Sequence, residues 1–551
     1  MLRTSPARPV ERDASGPPTG ASGYGTVALA VLGGALFLFG LVERVWMVNH
    51  LPINSDQAVN GLMSLGIVHG HFGAITWGQK YGGVEPYVTS VLFALFGHSD
   101  TALNLTPVVL SVTAALLVYG VARHFLPRTL AGLAAMAVWV WPAIVVRNGA
   151  AELGYRYACL NLGLLAISCA VSIHEQGASR RRYAMLGLVL GLSLWANPDC
   201  IYFLVPCAVL LAPEAIRGWS SDRQKTATEL LGAVVGVFVG GLPLWWSTQT
   251  HHGVSLSPYP GTISTRAHAL VAHAAPLAVG VQVPGTGAWF GGSAVGITIF
   301  VAVIGAVVLG LVWAVAHHRP RTIVALIAFV VAYPIIYSLL PATWAWQDGR
   351  YILYLPYVFI IVAFYPLGLL RWRRVVPVAT AVVVLGAALV TAAELSTSVP
   401  GLSLGALPHA LVVQRISLAP LARALERRRV TLGYAGYWVA YNLDFESGGA
   451  LRFTPTEFDT VRNDSYFFAA RADPRPAWIL CRPDRAATCT AVAGNARVDP
   501  PGVTWTSLSS WLQRHHSAYR TVSVGGFTAF FPSTKVTPAQ LHPQVRAPAS
   551  P

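Results

Sequence analysis

Apolar runs of about 20 residues recur along most of this 551-residue chain, and each is near the length that crosses a bilayer. Only 11% of the residues are charged, 54% are hydrophobic and the mean hydropathy is +0.53. This composition is typical of a polytopic α-helical membrane protein. The apolar runs lie at about 26–47, 101–122, 129–146, 157–175, 183–212, 227–247, 291–316, 321–340, 350–370 and 375–393.

One of these runs, 183–212, is interrupted by Asn197-Pro198-Asp199. It predicts two short helices that meet at a turn, because proline disfavours a helical residue before it. With that run counted twice, the sequence predicts eleven spans. Segment 84–97 is too short to cross, and we expect it at the membrane interface. The first run is too long for a signal-peptide core, which predicts a retained span.

Basic residues collect on alternate connections between the apolar runs, and this bias predicts that those connections and the N-terminus are cytoplasmic. The same bias, together with contact with anionic lipid, accounts for the formal net charge of +15, so no nucleic-acid partner is expected. The basic residues are Arg123, Arg128, Arg180, Arg181, Arg182, Arg217, Arg223, Lys225, Arg319, Arg321, Arg371, Arg373 and Arg374.

Hydropathy falls after about Leu395, which predicts a second, soluble domain outside the membrane. We expect a disordered cytoplasmic tail at 1–25, the membrane domain at 26–395 with its first extracytoplasmic loop at 49–100, a small α/β domain at 396–535 and a disordered tail at 536–551. Strand-like patterns lie at 428–433, 477–481 and 521–531, and a helix-like pattern lies at 437–446. Cys481 and Cys489 are the cysteines of this domain and could close a disulfide in an oxidising compartment.

Two carboxylates, Asp56 and Glu85, lie in the first outer loop, at the mouth of the predicted bundle. A charge is costly near hydrocarbon, so an acidic residue just beyond a span indicates a functional site. A structural role is open for each. Asp56 could cap the following helix, because Asn54-Ser55-Asp56 is a good capping cluster, and Glu85 could form a salt bridge with Lys80.

The order of several short motifs resembles the membrane part of GT-C glycosyltransferases, over about 26–395. It is most similar to the bacterial branch related to protein O-mannosyltransferases and lipid A aminoarabinose transferases, which is glycosyltransferase family 39-like. The motifs are Ser55-Asp56-Gln57-Ala58-Val59, Gly70-His71-Phe72, Trp77-Gly78-Gln79-x-Tyr81-Gly82-Gly83-x-Glu85-Pro86-Tyr87, Gly191-Leu192-x-Leu194-Trp195-x-Asn197-Pro198 and Asp348-Gly349-Arg350-Tyr351. The soluble part matches only loosely, through Gly433-Tyr434-Ala435-x-Tyr437-Trp438-x-Ala440-Tyr441.

This resemblance implies a sugar transferase of the bacterial plasma membrane. Its donor would be a polyprenyl-phosphate sugar from the lipid side, and its acceptor an extracytoplasmic cell-envelope glycan, lipid or protein. Such a reaction requires a base for the acceptor hydroxyl and cations for the departing phosphate. Asp56 matches the family's catalytic aspartate and is the expected base.

The other expected site residues would bind substrate. Glu85 matches a glutamate of the family's first loop and would hydrogen-bond the sugar or orient the base. Arg350 and Lys80 would hold the phosphate, with Tyr81 and Tyr351 as hydroxyl donors. Arg350 could instead pair with Asp348 or extend to the interface.

Glu152 lies with Arg147 and Arg156 at another outer turn. These residues either line the same cavity or bond one another.

Gln57 departs from the family, because many relatives have an acidic residue directly after the aspartate. We include Gln57 among the expected substrate-binding residues. The substitution removes a ligand for a hard divalent ion, so the sequence predicts a reaction without metal or other cofactor. It also leaves open an inactive relative.

Two other function classes fit the same pattern. A transporter or flippase for lipid-linked sugars would share the bundle and the broken helix. Against it stand an odd number of spans, the lack of an inverted repeat in the sequence and the sizeable outer domain. A non-catalytic glycolipid-binding protein would keep the fold without turnover, and Gln57 is the residue that favours it.

Overall fold

Helices form most of the membrane part, and their bounds follow the apolar runs. The computed structural model describes residues 23–51, 53–151, 155–250, 261–284, 287–317, 320–344, 349–370, 375–398, 417–456, 461–485 and 503–541. The helices of the membrane part are α1 (Gly23–His50), α2 (Ser55–Val68), α3 (Val84–Phe96), α4 (Asp100–Ala122), α5 (Arg128–Val140), α6 (Ala143–Asn148), α7 (Arg156–Gln176), α8 (Arg180–Ala196), α9 (Ile201–Ser221), α10 (Arg223–Gly240), α11 (Leu242–Thr250), α12 (Ile263–Ala269), α13 (Ala275–Ala278), α14 (Ser293–His317), α15 (Arg321–Leu339), α16 (Tyr354–Leu369) and α17 (Val375–Ser398).

Seven helices in the described part of the chain are long and apolar enough to cross a membrane: α1, α4, α7, α9, α14, α15 and α17. The protein is therefore a multi-pass membrane protein, as predicted. Three shorter apolar helices, α3, α5 and α16, accompany them. The number eleven stays a prediction, since it requires several shorter helices to cross as well.

The predicted interruption of run 183–212 is confirmed. Helix α8 ends at Ala196, a 3₁₀ turn covers Pro198–Cys200, and α9 begins at Ile201. The side-chain Oδ1 of Asn197 accepts a hydrogen bond of 2.8 Å from the Asp199 amide and so fixes the turn. The two helices are longer than predicted, with 17 and 21 residues.

The predicted span at 129–146 is wrong as a single helix. Helix α5 ends at Val140 and α6 begins at Ala143, on either side of Trp141-Pro142. The physical reason is Pro142, which donates no backbone hydrogen bond and disfavours a helical residue before it.

Helices α8 and α10 pack closely because glycine lines their contact. A Cβ on Gly187 would lie 2.0 Å from the Ala233 carbonyl oxygen, and a Cβ on Gly236 would lie 2.3 Å from the Ala184 carbonyl oxygen. Small residues allow membrane helices to approach in this way. The contact holds α8, and with it the turn that carries Asp199.

The soluble domain is α/β, as predicted. Its five-stranded sheet has the order β2-β1-β3-β5-β4; β1 is parallel to β2 and β3, and β5 is antiparallel to β3 and β4. Its elements are α18 (Ala419–Glu426), β1 (Leu432–Tyr434), α19 (Tyr437–Glu446), β2 (Arg452–Thr454), α20 (Asp464–Ala472), β3 (Ala477–Cys481), α21 (Trp505–Arg514), β4 (Tyr519–Val524), β5 (Phe527–Pro532) and α22 (Pro538–Leu541).

Two of the strand predictions need correction. The pattern at 521–531 is a hairpin of β4 and β5, because Gly525, with φ 60°, turns the chain. The pattern at 428–433 becomes a strand only from Leu432, because the chain first leaves α18 through Arg429 at φ 56°. Cys481 is disulfide-bonded. Its predicted partner, Cys489, lies outside the described residues.

Helix α19 seats the soluble domain on α2 of the first loop. Ser55 Oγ donates a hydrogen bond of 2.6 Å to the Tyr437 carbonyl oxygen, and Asn442 Nδ2 donates one of 3.3 Å to the Ile53 carbonyl oxygen. A Cβ on Gly61 would lie 2.5 Å from the Phe445 ring, so the absent side chain makes room for that ring. The contact brings the soluble domain beside Asp56.

Gly187→Ala should destabilise the membrane part, because its methyl group meets a backbone carbonyl that cannot rotate away. Overpacking of this kind costs about 1–3 kcal/mol. The melting temperature of the detergent-solubilised protein measures it. The matched control is Gly120→Ala in α4, where a Cβ has nothing within 4 Å. Equal melting temperatures for the two variants would contradict the close packing of α8 on α10.

Candidate active site

At the N-terminus of α2, the residue that caps the helix is Asn54 and not Asp56. Asn54 is the N-cap, since its Oδ1 accepts a hydrogen bond of 3.0 Å from the Gln57 amide, and Gln57 Oε1 accepts one of 2.6 Å from the Asn54 amide. This reciprocal pair is a capping box. The alternative in which Asp56 caps the helix is therefore wrong, because Asn54 fills that position.

The Gln57 side chain is buried and hydrogen-bonded within the protein. It is 3% exposed, and its Nε2 donates a hydrogen bond of 3.4 Å to Asn104 Oδ1 in α4. Both polar ends of the side chain are thus engaged within the protein. These two contacts account for a glutamine at this position, and its role as a substrate ligand stays a prediction.

Three side chains from distant parts of the sequence converge on the Asp56 carboxylate. Arg350 Nη1 donates a hydrogen bond of 3.4 Å to Oδ2, the Tyr437 hydroxyl donates one to Oδ1, and Arg462 Nη2 lies 3.9 Å from Oδ1. Arg350 precedes α16, whereas Tyr437 and Arg462 belong to the soluble domain. The Asp56 side chain remains 34% exposed, so part of this side chain is accessible.

These contacts set the charge of Asp56. Burial raises the pKa of this carboxyl, but the guanidinium groups of Arg350 and Arg462 and the Tyr437 hydrogen bond lower it by more. The pKa of Asp56 is therefore below its ordinary value, and the carboxylate is ionised at neutral pH. The pKa of Tyr437 is raised well above its ordinary value by burial and by the Asp56 charge, so its hydroxyl stays a donor.

Glu85 is 1% exposed and faces α7 rather than the surface. Its Oε1 accepts a hydrogen bond of 2.7 Å from the Ala158 amide in the first turn of α7, where a negative charge is favourable. Lys80 lies exposed on the loop, whereas Glu85 is buried. The structure therefore does not contain the alternative salt bridge between them. Glu85 joins α3 to α7 and thereby supports the loop.

A second cluster surrounds Arg156 at the start of α7. The Arg156 guanidinium lies 4.7 Å from the Tyr351 ring centroid and 5.1 Å from that of Tyr155. The Tyr81 ring meets the Tyr155 ring edge-on at 5.1 Å. Cation–π contacts of this kind stabilise the position of a guanidinium. Tyr81 and Tyr351, both predicted site residues, are thus brought together around one arginine.

Asp199, in the turn between α8 and α9, belongs to this second cluster. Its Oδ2 accepts a hydrogen bond of 3.3 Å from the Tyr354 hydroxyl, and its charge interacts with Arg156. The sequence pointed to the turn as a helix break and not to Asp199 as a site residue. Arg350 and Tyr351 are consecutive, and since they reach Asp56 and Arg156 respectively, they connect the two clusters.

The first loop is fixed against the end of α8. The Trp195 indole donates a hydrogen bond to the Ala74 carbonyl oxygen, and the Gly82 amide donates one of 3.0 Å to the Trp195 carbonyl oxygen. Gly82 has a φ of 94°, in the left-handed region that favours glycine, and a Cβ there would lie 2.5 Å from the Tyr155 ring. Two of the sequence motifs therefore contact each other.

Two expectations fall on residues beyond those described. Glu152 and Asp348 both lie in the gaps, so the predicted role of Glu152 and the pairing of Asp348 with Arg350 stay predictions. Within the described residues, no three His, Cys, Asp or Glu side chains come together as a metal site would require.

Comparison with known proteins gives a partial sequence match and a match of the whole fold. A family model described as dolichyl-phosphate-mannose-protein mannosyltransferase matches residues 83–246. The structure of ArnT from Cupriavidus metallidurans bound to undecaprenyl phosphate matches with a TM-score of 0.60 at 12% identity, over 93% of this chain and 98% of that chain. The apo structure of the same ArnT matches with a TM-score of 0.59 at 13% identity and the same coverage. None of the curated proteins matches this chain by sequence.

This chain has an ArnT-like fold. The resemblance inferred from the motifs is confirmed, both in the mannosyltransferase family model and in the fold shared with ArnT. The matched range 83–246 includes Glu85, Arg156 and Asp199 but begins after Asp56. The role of Asp56 therefore depends on its own surroundings.

Replacement of Arg350 by glutamine should raise the pKa of Asp56, because it removes the cation that lowers this pKa most. Carbodiimides react with protonated carboxyl groups, so we expect labelling of Asp56 in Arg350→Gln to begin at a higher pH than in the wild type. Peptide mass spectrometry over a pH series measures it. The control is Arg471→Gln, an exposed arginine in α20. An unchanged pH profile in Arg350→Gln would contradict the ion pair.

Proposed function

We propose that the protein is a membrane glycosyltransferase that moves a sugar from a polyprenyl-phosphate donor to a hydroxyl group of an extracytoplasmic acceptor. The observation that carries this proposal is the ionised carboxylate of a partly exposed Asp56 side chain, beside Arg350, in an ArnT-like fold. A base and a cation side by side are what transfer from a phosphate leaving group requires.

In the proposed reaction, the acceptor oxygen forms a bond to the anomeric carbon while the bond from that carbon to the phosphate oxygen breaks. Asp56 takes the proton of the acceptor hydroxyl. The electron pair of the broken bond goes to the phosphate, which departs as polyprenyl phosphate, and Arg350 stabilises its negative charge. Attack opposite the leaving group inverts the anomeric centre. The proton on Asp56 then returns to solvent.

The low pKa of Asp56 makes it a weak base, and donor binding offers a way to raise it. Arg350 Nη1 lies 3.4 Å from Oδ2, a long contact for a charged pair. A donor phosphate competes for the same guanidinium. When Arg350 turns to the phosphate, Asp56 loses its principal counter-ion, and its pKa rises toward a range better suited to a base. Donor binding would thus prepare the carboxylate for the acceptor.

The second cluster supplies further groups of the right kind. Arg156 lies among tyrosines that include Tyr81 and Tyr351, and Lys80 is exposed on the same loop. In the proposed complex these residues bind the phosphate or the sugar hydroxyls. Asp199 accepts hydrogen bonds from sugar hydroxyls in that cluster, because carboxylate oxygens accept several at once. Glu85 has a supporting role in this proposal, because its bond to α7 holds the first loop in place.

The acceptor and the orientation are part of the proposal. The basic residues on alternate connections favour a cytoplasmic N-terminus, which leaves Asp56 and the soluble domain outside. An acceptor would then reach Asp56 from the aqueous side while the prenyl chain stays in the bilayer. A cell-envelope glycan, lipid or protein meets that requirement.

Asp56→Asn should lower the transfer rate by about 10²–10⁴-fold, the range typical of a lost general base, and leave donor binding intact. The transfer rate is measured with purified protein, a panel of radiolabelled polyprenyl-phosphate sugars as donors and membrane extract as acceptor. The control is Asp222→Asn at the N-cap of α10, since asparagine also caps helices. Equal transfer by Asp56→Asn and wild type would contradict the role of Asp56. Donor binding without transfer in any form would favour a non-catalytic glycolipid-binding protein.

Chelation should leave this transfer unchanged, because we propose that arginine rather than a divalent ion holds the phosphate. The measurement is the transfer rate after dialysis against EDTA, compared with the same protein after addition of Mg²⁺, Mn²⁺ or Zn²⁺. A rate that falls with EDTA and recovers with one of these metals would contradict metal independence.

A further inference from the structure

The soluble domain reaches the Asp56 carboxylate with two side chains of its own. The Tyr437 hydroxyl bonds Oδ1, and Arg462 Nη2 lies 3.9 Å from the same oxygen. Tyr437 is the first residue of α19, and Arg462 precedes α20. Both residues belong to the soluble domain, so their approach to Asp56 calls for an explanation separate from the packing of the membrane helices.

Tyr437 and Arg462 hold each other in place. Arg462 Nε donates a hydrogen bond of 3.2 Å to the Tyr437 hydroxyl, and the Arg462 guanidinium lies 5.2 Å from the Tyr437 ring centroid. The Tyr441 hydroxyl accepts a hydrogen bond of 2.5 Å from the Arg462 amide and so fixes the backbone of Arg462. The Tyr437 ring also packs edge-on against Trp438 and Tyr441. The pair is therefore preorganised within the soluble domain.

The position of this pair on Asp56 depends on how the domain is seated. The Ser55 hydroxyl, next to Asp56 in sequence, bonds the backbone carbonyl of Tyr437, so residues 55–56 and Tyr437 are joined twice. Trp77 of the first loop meets the Tyr466 ring at 5.8 Å, and Gly78 lies where a Cβ would be 2.6 Å from Arg462 Cδ. A shift of the domain would move both groups away from the carboxylate together.

We propose that Tyr437 and Arg462 are positioning residues for the reaction of Asp56, through which the soluble domain holds the carboxylate in its reactive orientation. This inference rests on the proposed function. Arg350 binds Oδ2 and Tyr437 binds Oδ1, so the carboxylate is fixed at both oxygens. When the donor phosphate binds Arg350, the soluble domain still holds Oδ1, and Oδ2 keeps its direction toward the acceptor.

The proposal makes transfer depend on a domain that does not contain the base. A loss of orientation lowers the rate of the bound complex, because even a small misplacement of a reacting group costs up to about 10²-fold. It does not remove a group that binds the donor. The expected signature is therefore a fall in kcat with little change in the KM for the donor.

Tyr437→Phe tests this contact, because it removes the hydroxyl and keeps the ring. With the full-length purified protein, we expect kcat to fall by about 10–100-fold and the donor KM to stay within about twofold. The matched control is Tyr434→Phe, a buried tyrosine of β1 whose ring packs at a tilt against Trp478 in the same domain. A second pair extends the test: Arg462→Gln should resemble Tyr437→Phe, and Arg462→Lys, which keeps the charge, should recover part of the rate.

The pH profile separates positioning from a general loss of structure. Among the described residues, the charged and titratable groups that act on the Asp56 carboxylate are Arg350, Arg462 and Tyr437. Arginine stays protonated in proteins, and the pKa of Tyr437 is raised well above its ordinary value, so these partners keep their protons where a carboxyl titrates. The Tyr437 bond lowers the pKa of Asp56, so its removal should move the acid limb of kcat to higher pH. Tyr434→Phe should leave that limb in place. A lowered melting temperature alone would not move it.

The pH at which carbodiimide begins to label Asp56 reports on the Tyr437–Asp56 hydrogen bond, and this measurement requires no transfer reaction. If the wild type transfers sugar while Tyr437→Phe matches Tyr434→Phe in kcat, in the acid limb and in labelling, the positioning proposal is overturned and the proposed function stands. If no donor supports transfer but labelling of Tyr437→Phe begins at a higher pH, the proposed function falls and the hold on the carboxylate stands. Unchanged labelling in that case overturns both.

Discussion

A single carboxylate, Asp56, has to stay ionised at the mouth of a membrane bundle, and much of the surrounding structure serves that need. Burial disfavours its charge, and the guanidinium groups of Arg350 and Arg462 reverse the balance. Arg350 is 294 positions away in sequence, and Tyr437 is 381 positions away. The charge is therefore stable only when the first loop, the segment before α16 and the soluble domain are all assembled.

The same arrangement explains why the structural residues near Asp56 are placed as they are. Asn54 and Gln57 form the capping box, which leaves the Asp56 side chain between them in sequence free to face its partners. Glu85 and Trp195 fix the middle of the first loop on α7 and α8. The close contact of α8 with α10 in turn holds the turn with Asp199. These structural contacts thus hold the elements that carry Asp56 and Asp199 in place.

The sequence predicted the class and the fold because both leave local signals. Apolar length predicts helices, and Asn197-Pro198 predicts a break, since both depend on neighbouring residues. The pairing of Asp56 with Arg350 left no such signal, although each was singled out separately. Tyr437 appeared only in a loose motif, and Arg462 carried no signal at all. Long-range contacts of this kind follow from tertiary packing, as does the burial of Gln57 and Glu85.

The central claim is that sugar transfer takes place between Asp56 and Arg350. An electron cryomicroscopy structure of Asp56→Asn with a bound polyprenyl-phosphate sugar tests it most directly, because the variant should hold the donor without consuming it. The account predicts the phosphate within hydrogen-bond distance of the Arg350 guanidinium, with the anomeric carbon facing residue 56 and Tyr437 still in contact with that side chain. A donor bound with its phosphate away from Arg350 and its sugar out of reach of residue 56 would contradict it.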